Sequence, residues 1–373
     1  MEKFDKPTII IVENCLGFTG GFKAIFQVAE ALKSQFRFVF VLPQGSSVIE
    51  LIEKSGFVVH TLAFSPLQKR LKSIIVYLPM LLINAILLRE IVKKEKAVVI
   101  HSNDIYNLVP IVTRAILKEV KLLTHIRILG RAFPARLYSF WVKITKKYSD
   151  VIIGVSRASI EPFDKHDKIK LIYDGIAKEE VYPYKYNSEA NVNNLLYLSN
   201  YTLGKGHELA METFALLLTW KPNLTLTFAG DTFGITKNIQ FKNSLLTKAK
   251  QLKIDDKIIF HDSVKDVEEL FKKSHIFLNL SEAESFSFTC LEALFYGVPC
   301  LASNSGGPQE ILDNGTYGEI VSDREVEHIA QRILSLLNNP SRRLWLSENG
   351  RIYARNRFSF ENTVNQMKMI YEE

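Results

Sequence analysis

Short β-branched runs alternate with longer helical patterns along nearly the whole chain, and this alternation restricts the possible folds more than any other feature. "TIIIVEN" precedes the helical "FKAIFQVAEALKS" and then "FRFVFVLP"; "AVVIHSN" precedes "NLVPIVTRAILKE" and then "VKLLTHI"; "SDVIIGVS" closes the first half. Strand, helix and parallel strand in succession make the βαβ unit of a doubly wound sheet. Residues 183–194, "PYKYNSEANVNN", are polar and unpatterned and read as a linker. The rhythm then restarts with "NLLYLSN", "HELAMETFALLLTW" and "LTLTFAG", and continues through "HIFLNLS" and "PCLAS". The expectation is an α/β protein of two Rossmann-like, doubly wound parallel-sheet domains facing across a cleft, with ligands at the carboxyl ends of the strands. A chain of 373 residues is long enough for two such cores.

Other classes fit poorly. Cys15, Cys290 and Cys300 are an odd set without CxxC spacing, so neither a disulfide framework nor a zinc site is indicated, and a reducing, cytoplasmic setting fits best. The apolar run near the N-terminus, Ile9 to Val12, is too short for a secretory signal. Residues 1–187 carry 28 Lys and Arg against 17 Asp and Glu, a net +11, while the remainder carries 19 against 23, a net −4. The basic half is the expected face toward a phosphate-bearing or membrane-bound partner. Its basic residues are scattered and follow no RNP, zinc-finger or homeodomain pattern, which argues against nucleic acid.

The longest apolar segment, Ile74 to Leu88, contains Pro79 and Asn84 and falls short of the roughly 17–25 residues of a membrane span. Lys69, Arg70 and Lys72 precede it, and Arg89, Lys93, Lys94 and Lys96 follow. Two readings stand: residues 69–96 seat on an anionic membrane surface at the inner face of the cell membrane, or they form a core helix with solvated ends.

Chemistry concentrates in "ESFSFTCLE", Glu284 to Glu292, followed by "ALFYGVPCLASNSGG". "HIFLNLS" reads as a strand, and "SFTCLEALFY" as a helix capped by Ser287 and stopped by Gly297 before Pro299. Glu284 then lies at the helix entrance, and Glu292 five residues past the cap, about 7.5 Å deeper. A diphosphate drawn to that N-terminus would have a carboxylate near each substituent, and carboxylates are good acceptors for sugar hydroxyls. That arrangement suits a nucleotide sugar. "GFTGGF", Gly17 to Phe22, places Gly20 and Gly21 between strand and helix, where backbone N–H groups can approach a phosphate. No D-x-D triplet occurs, so no metal clamp is expected and no cofactor beyond the donor.

These motifs resemble those of the retaining GT-B glycosyltransferases of family 4, the glycosyltransferase group 1 proteins. The E-x7-E pattern is matched by Glu284 and Glu292, "EALFYGVPCLASNSGGPQEIL" is similar to the family's following segment, and "LGKGHEL" to its KG motif. "VVIHSN", "TH" at 124–125, "VIIGVS" and "DGI" at 174–176 extend the resemblance over nearly the whole chain. It implies a GT-B fold with an acceptor-side domain at 1–185, a donor-binding domain at 186–355, and a C-terminal helix at 356–373 packing back on the first domain.

The resemblance also implies roles. Glu284 would bind donor-sugar hydroxyls, Glu292 the ribose, and Lys205 the diphosphate, with the backbone of Ser285, Phe286 and Ser287 cradling sugar and phosphate. Gly20 and Gly21 would admit the phosphate, and His125 would stand close to the bond being broken. Catalysis would rest on His125, Glu284 and Lys205. The family usually has glycines where Ser285 and Ser287 stand and an arginine where this chain has Asn200; the loop is thus less permissive in φ, and the leaving-group charge falls more heavily on Lys205. Arg127, Arg131 and Arg136 are the candidates to compensate. The implied reaction is metal-independent, retaining transfer of a hexose-type sugar from a UDP- or GDP-linked donor to a hydroxyl on a glycan or lipid-linked acceptor. A sugar-nucleotide epimerase and an inactive donor-binding protein are the alternatives.

Overall fold

The computed structural model describes residues 6–64, 71–163, 167–177, 193–262 and 267–373, with only the backbone of 71–76. The chain divides into two units, Met1–Asp174 with Glu361–Glu373, and Gly175–Phe360.

The first unit runs β1 (Thr8–Val12), α1 (Gly20–Leu32), β2 (Arg37–Pro43), α2 (Ile49–Lys54), β3 (Val58–Leu62), α3 (Leu71–Lys94), β4 (Ala97–Ser102), α4 (Val109–Ile116), β5 (Lys121–Ile126), α5 (Ala135–Tyr148), β6 (Val151–Gly154), α6 (Arg157–Ile160) and β7 (Ile169–Leu171). Its sheet has the order β3-β2-β1-β4-β5-β6-β7, with parallel pairing throughout. Ile9, Ile10 and Ile11 have no exposed surface, as expected of a strand covered by helices on both faces. Ile10, Val39, Ile100, Leu122 and Ile152, one from each of five adjacent strands, share a core with Leu88 of α3 and Trp141 of α5.

The second unit runs β8 (Asn194–Leu198), α7 (His207–Trp220), β9 (Thr225–Ala229), α8 (Thr236–Gln251), β10 (Ile258–His261), α9 (Glu268–Lys272), β11 (Ile276–Asn279), α10 (Phe288–Tyr296), β12 (Cys300–Ser303), α11 (Gly307–Ile311), β13 (Glu319–Val321), α12 (Val326–Leu337) and α13 (Pro340–Arg357). Its order, β10-β9-β8-β11-β12-β13, repeats the first six strands of the other sheet. In each sheet the winding reverses once, between β1 and β4 and between β8 and β11, and such switch points are where the carboxyl edge opens a ligand crevice. The doubly wound parallel architecture expected of both halves is therefore observed.

The last helix, α14 (Phe360–Glu372), brings Tyr371 against Phe36 and Phe38 of the first unit, with ring centroids 5.6 and 5.9 Å apart. Of the linker at 183–194, residues 183–192 lie outside the described residues, as do Lys69 and Arg70 of the basic apolar segment. Residues 71–94 of that segment form α3, which is apolar toward the core and toward solvent alike. Leu81, Ala85, Leu88 and Val92 face the core, whereas Leu78, Leu82, Ile83, Ile86 and Leu87 are 46–57% exposed. Among the described residues, no helix is long and apolar enough to cross a membrane.

Candidate active site

The switch point of the second sheet is built from the loops after β8 and β11. After β8 the chain passes Asn200 and reaches Lys205 and Gly206, the latter capping α7 at φ +75°. A β-carbon on Gly206 would lie 2.1 Å from the Leu280 carbonyl oxygen, so glycine is required there by both conformation and space. Tyr197 ties the two loops together: its hydroxyl donates to the Lys205 carbonyl at 2.5 Å and accepts from the Leu280 amide at 2.9 Å. This fixes the start of the Lys205 side chain beside the loop that follows β11.

Lys205 Nζ lies 2.7 Å from Glu284 Oε1, and the Ser281 hydroxyl donates to the same oxygen at 3.0 Å. The Glu284 backbone is held from the other side, its N–H donating to Ser305 O at 2.9 Å and its carbonyl accepting from Gly307 N at 2.8 Å. Both Lys205 and Glu284 are partly exposed, at 30% and 16% of their side chains. A carboxylate and an ammonium therefore stand together at an accessible position, held by backbone on both sides.

α10 begins where the sequence places it. The Ser287 hydroxyl accepts from Cys290 N at 3.4 Å and from Asn279 Nδ2 at 3.0 Å, and Gly297 ends the helix at φ +72°. Ser287 itself has φ +83°, a left-handed conformation in which a serine is strained. Despite the expectation of a less permissive loop, the backbone keeps a glycine-like turn at this serine. Ser285 is half-buried and Phe286 is buried, its ring 5.9 Å from Phe288 and from Phe358. Glu292 is 8% exposed on α10.

Asn200 does not join Lys205. Its Oδ1 accepts from Asp231 N at 3.2 Å, so this side chain braces the loop after β9. Arg324, after β13 and marked by no motif, reaches the loop after β11: it donates to Leu280 O at 3.1 Å and lies 3.7 Å from Glu282.

Gly20, Gly21 and His125 belong to the first unit, at its own switch point. Gly20 and Gly21 open α1, which Thr19 caps by accepting from Phe22 N at 3.2 Å. A β-carbon on Gly21 would stand 3.1 Å from Arg127 Cδ. Arg127 is committed to its surroundings: Nη1 and Nη2 reach both oxygens of Asp174, at 2.7 and 3.2 Å, and Nε donates to Asn103 at 2.6 Å. A buried bidentate pair of this kind is not a guanidinium free to compensate for Asn200; Arg131 and Arg136 are exposed on the surface of the first unit.

His125 is 2% exposed and stacks on His101 with centroids 5.5 Å apart. Burial, with Arg127 and His101 adding to it, holds its pKa well below the usual value, so the ring is neutral. Its Nε2 is buried with no hydrogen-bond partner among the described residues, while His101 Nδ1 is 2.7 Å from Tyr371 Oη. Neighbouring Asp104 has φ +143°, and burial raises its carboxyl to about 7. A neutral His125 offers a hydrogen bond rather than a proton.

Residues 179–353 match the family model described as "Glycosyl transferases group 1". Among curated proteins, N-acetyl-alpha-D-glucosaminyl L-malate synthase of Bacillus anthracis is 28% identical over 235 residues, which is 60% of this chain and 59% of that protein. The match therefore takes in about three fifths of either protein. Among solved structures, Anabaena Alr3699/HepE in complex with UDP and glucose superposes with a TM-score of 0.81 over 98% of this chain and 99% of that one, at 18% identity. A glycosyltransferase from Rickettsia africae superposes with a TM-score of 0.78 over 99% and 98%, at 22% identity. The two-domain fold is shared over essentially the full length.

Proposed function

We propose, starting from the match of residues 179–353 to the glycosyltransferase group 1 model, that the chain moves a hexose-type sugar from a UDP- or GDP-linked donor to a hydroxyl acceptor with retention of configuration. The observation that carries this reading is the Lys205–Glu284 pair beside the N-terminus of α10. The helix end and the ammonium both favour a diphosphate. Glu284 then faces the donor sugar and Glu292, deeper along α10, the ribose. A nucleotide sugar has this order of groups.

Charge on the leaving diphosphate grows as the glycosidic bond lengthens, and Lys205 with the α10 amides stabilises it. Arg324 supplies a second positive charge to the same loop and takes the part that Asn200 does not play. Glu284 is already hydrogen-bonded by Lys205 and Ser281, which suits an acceptor for sugar hydroxyls better than a nucleophile. The acceptor oxygen therefore attacks from the face the diphosphate leaves, and that departing phosphate takes the proton.

We assign the acceptor to the lipid-linked or envelope-glycan class, with the protein resting on the inner face of the membrane through α3. The exposed leucine and isoleucine face of that helix and the exposed Lys93, Lys94 and Lys96 at its end support this.

A thermal-shift screen over UDP-, GDP- and ADP-sugars identifies the donor, because a ligand that prefers the native state raises the melting temperature. Incubation of that donor with extracted lipid acceptors, followed by NMR of the product, should give a glycoside of unchanged anomeric configuration. An inverted product would overturn retention. An epimerised free sugar nucleotide, or donor recovered unchanged with every acceptor, would overturn the transferase.

A further inference from the structure

The first unit contains an apolar cavity of about 380 Å³, within the roughly 300–1,000 Å³ of small-molecule sites. Tyr77, Met80 and Leu81 of α3 form one wall, and Val109, Phe133 and Trp141 line the rest. Asn14, just after β1, and Asn107, in the loop after β4, also border it, which puts the cavity at the carboxyl edge of the sheet beside the switch point.

One polar side chain bordering this cavity keeps an unmatched atom. Asn84, 2% exposed, donates through Nδ2 to Ala63 O at 2.9 Å, and its Oδ1 is buried without a partner among the described residues. An occupant carrying one N–H or O–H would satisfy it, and leaving it unsatisfied is costly.

The helix that walls the cavity also carries the exposed apolar face. Met80 and Leu87 are seven residues apart, so they lie on one stripe of the helix, about 20° from each other. Met80 lines the cavity and Leu87 is 46% exposed. One helix thus presents aliphatic side chains both to the ring-lined interior and to a surface that suits a bilayer.

We propose that this cavity receives the hydrocarbon chain of the acceptor, with a hydroxyl or amide of the same molecule donating to Asn84 Oδ1. The word acceptor rests on the transferase reading; the chain site rests on the cavity alone. Lys93, Lys94 and Lys96, exposed at the end of α3, provide the positive charge that an anionic head group beside such a chain requires.

Trp141 is the sole tryptophan of the first unit, with Trp220 and Trp345 in the second. In a Trp220→Phe, Trp345→Phe protein, bromoundecyl phosphate below its micelle concentration should quench Trp141 saturably, whereas bromoethyl phosphate, which lacks the chain, should not. Met80→Asp, at a half-buried position, should raise the half-saturation point at least tenfold while circular dichroism stays unchanged. Linear quenching, equal quenching by the short phosphate, or quenching only by vesicles of brominated phosphatidylglycerol would overturn the chain site. No donor is present in this assay, so its result is independent of catalysis. Transfer to a chainless acceptor without saturable quenching would sink the chain site alone, and saturable quenching by a protein that transfers nothing would sink the transferase alone.

Discussion

Lys205 Nζ stands 2.7 Å from Glu284 Oε1 although the two residues are 79 positions apart. On the proposed reading the pair holds both groups ready before a donor arrives, and a diphosphate must draw the ammonium toward itself. Lys205→Ala should therefore slow transfer more than it weakens the intact donor, because an interaction that strengthens in the transition state acts on kcat. A loss of about 10²–10³ in kcat is expected for removal of one such group. Steady-state kinetics with measured donor affinity checks this; equal losses in rate and affinity would place Lys205 in ground-state binding only.

Glu292 is 8% exposed on a helix whose other side chains are largely core. Glu292→Gln keeps the shape and removes the charge. A charge-assisted hydrogen bond to ribose contributes about 1.5–3 kcal/mol, so nucleotide affinity should drop roughly ten- to a hundredfold. Calorimetric titration with the nucleotide decides it. Unchanged affinity together with a lowered melting temperature would make Glu292 a structural residue.

Ser287 couples two opposing terms. Its left-handed backbone costs about 1–2 kcal/mol for a residue with a β-carbon, and its hydroxyl caps α10, worth about 1 kcal/mol. Ser287→Ala keeps the strain and loses the cap, so it should destabilise the protein by about 1–2 kcal/mol. Ser287→Gly loses the cap and relieves the strain, and should come out close to neutral. Urea denaturation of the two variants side by side measures the difference; an alanine variant as stable as the glycine one would mean that the backbone there is unstrained.

His101 makes a distinct prediction about acid. Burial, then the charge of Arg127, pushes its folded value down to about 3, against 6.5 unfolded. A depressed folded pKa leaves stability fully present above about pH 6.5 and removes it as pH falls toward 3, at about 1.4 kcal/mol per unit. His125 acts in the same direction. Asp104, raised to about 7 by burial, acts oppositely: its contribution is full below about 3.8 and is lost as pH rises through 7. Only a difference isolates the histidine. The stability of wild type minus that of His101→Asn should fall between about pH 7 and pH 5, as read from denaturation midpoints, and two parallel profiles would show that His101 is solvated in the fold.

How much of this was legible in the sequence depended on how local the cause was. Ser287 as cap and Gly297 as stop of α10 follow from side-chain chemistry within one turn, and both are where the pattern puts them. The parallel sheets follow from alternation repeated over two halves. What no spacing reveals is a partnership made by the fold. Asp174 in "DGI" clamps Arg127, Asn200 turns to Asp231, and Arg324 reaches Leu280 across 44 positions. The positive φ of Ser287 was hinted at only by the resemblance, which has glycine at that position, since serine itself gives no sign of the turn that the loop after β11 imposes on it.

α3 carries the last prediction. Its exposed side chains at 78, 82, 83, 86 and 87 cover about half of the helix circumference, and water leaves each of them solvated at a cost that a bilayer interface removes. The basic residues after this face add roughly 1 kcal/mol each near an anionic surface, screened over about a Debye length. Leu82→Ser with Ile86→Ser should therefore weaken vesicle binding at every salt concentration, whereas Lys93→Gln with Lys94→Gln and Lys96→Gln should weaken it at low salt and leave high-salt binding unchanged. Sedimentation with vesicles of defined anionic content separates the two terms, because only the electrostatic one depends on lipid charge. Both sets of substitutions lie on solvent-exposed positions, so neither should lower the melting temperature. Binding indifferent to both sets, to salt and to lipid charge would remove the membrane from the proposal and leave the sugar transfer to a soluble acceptor.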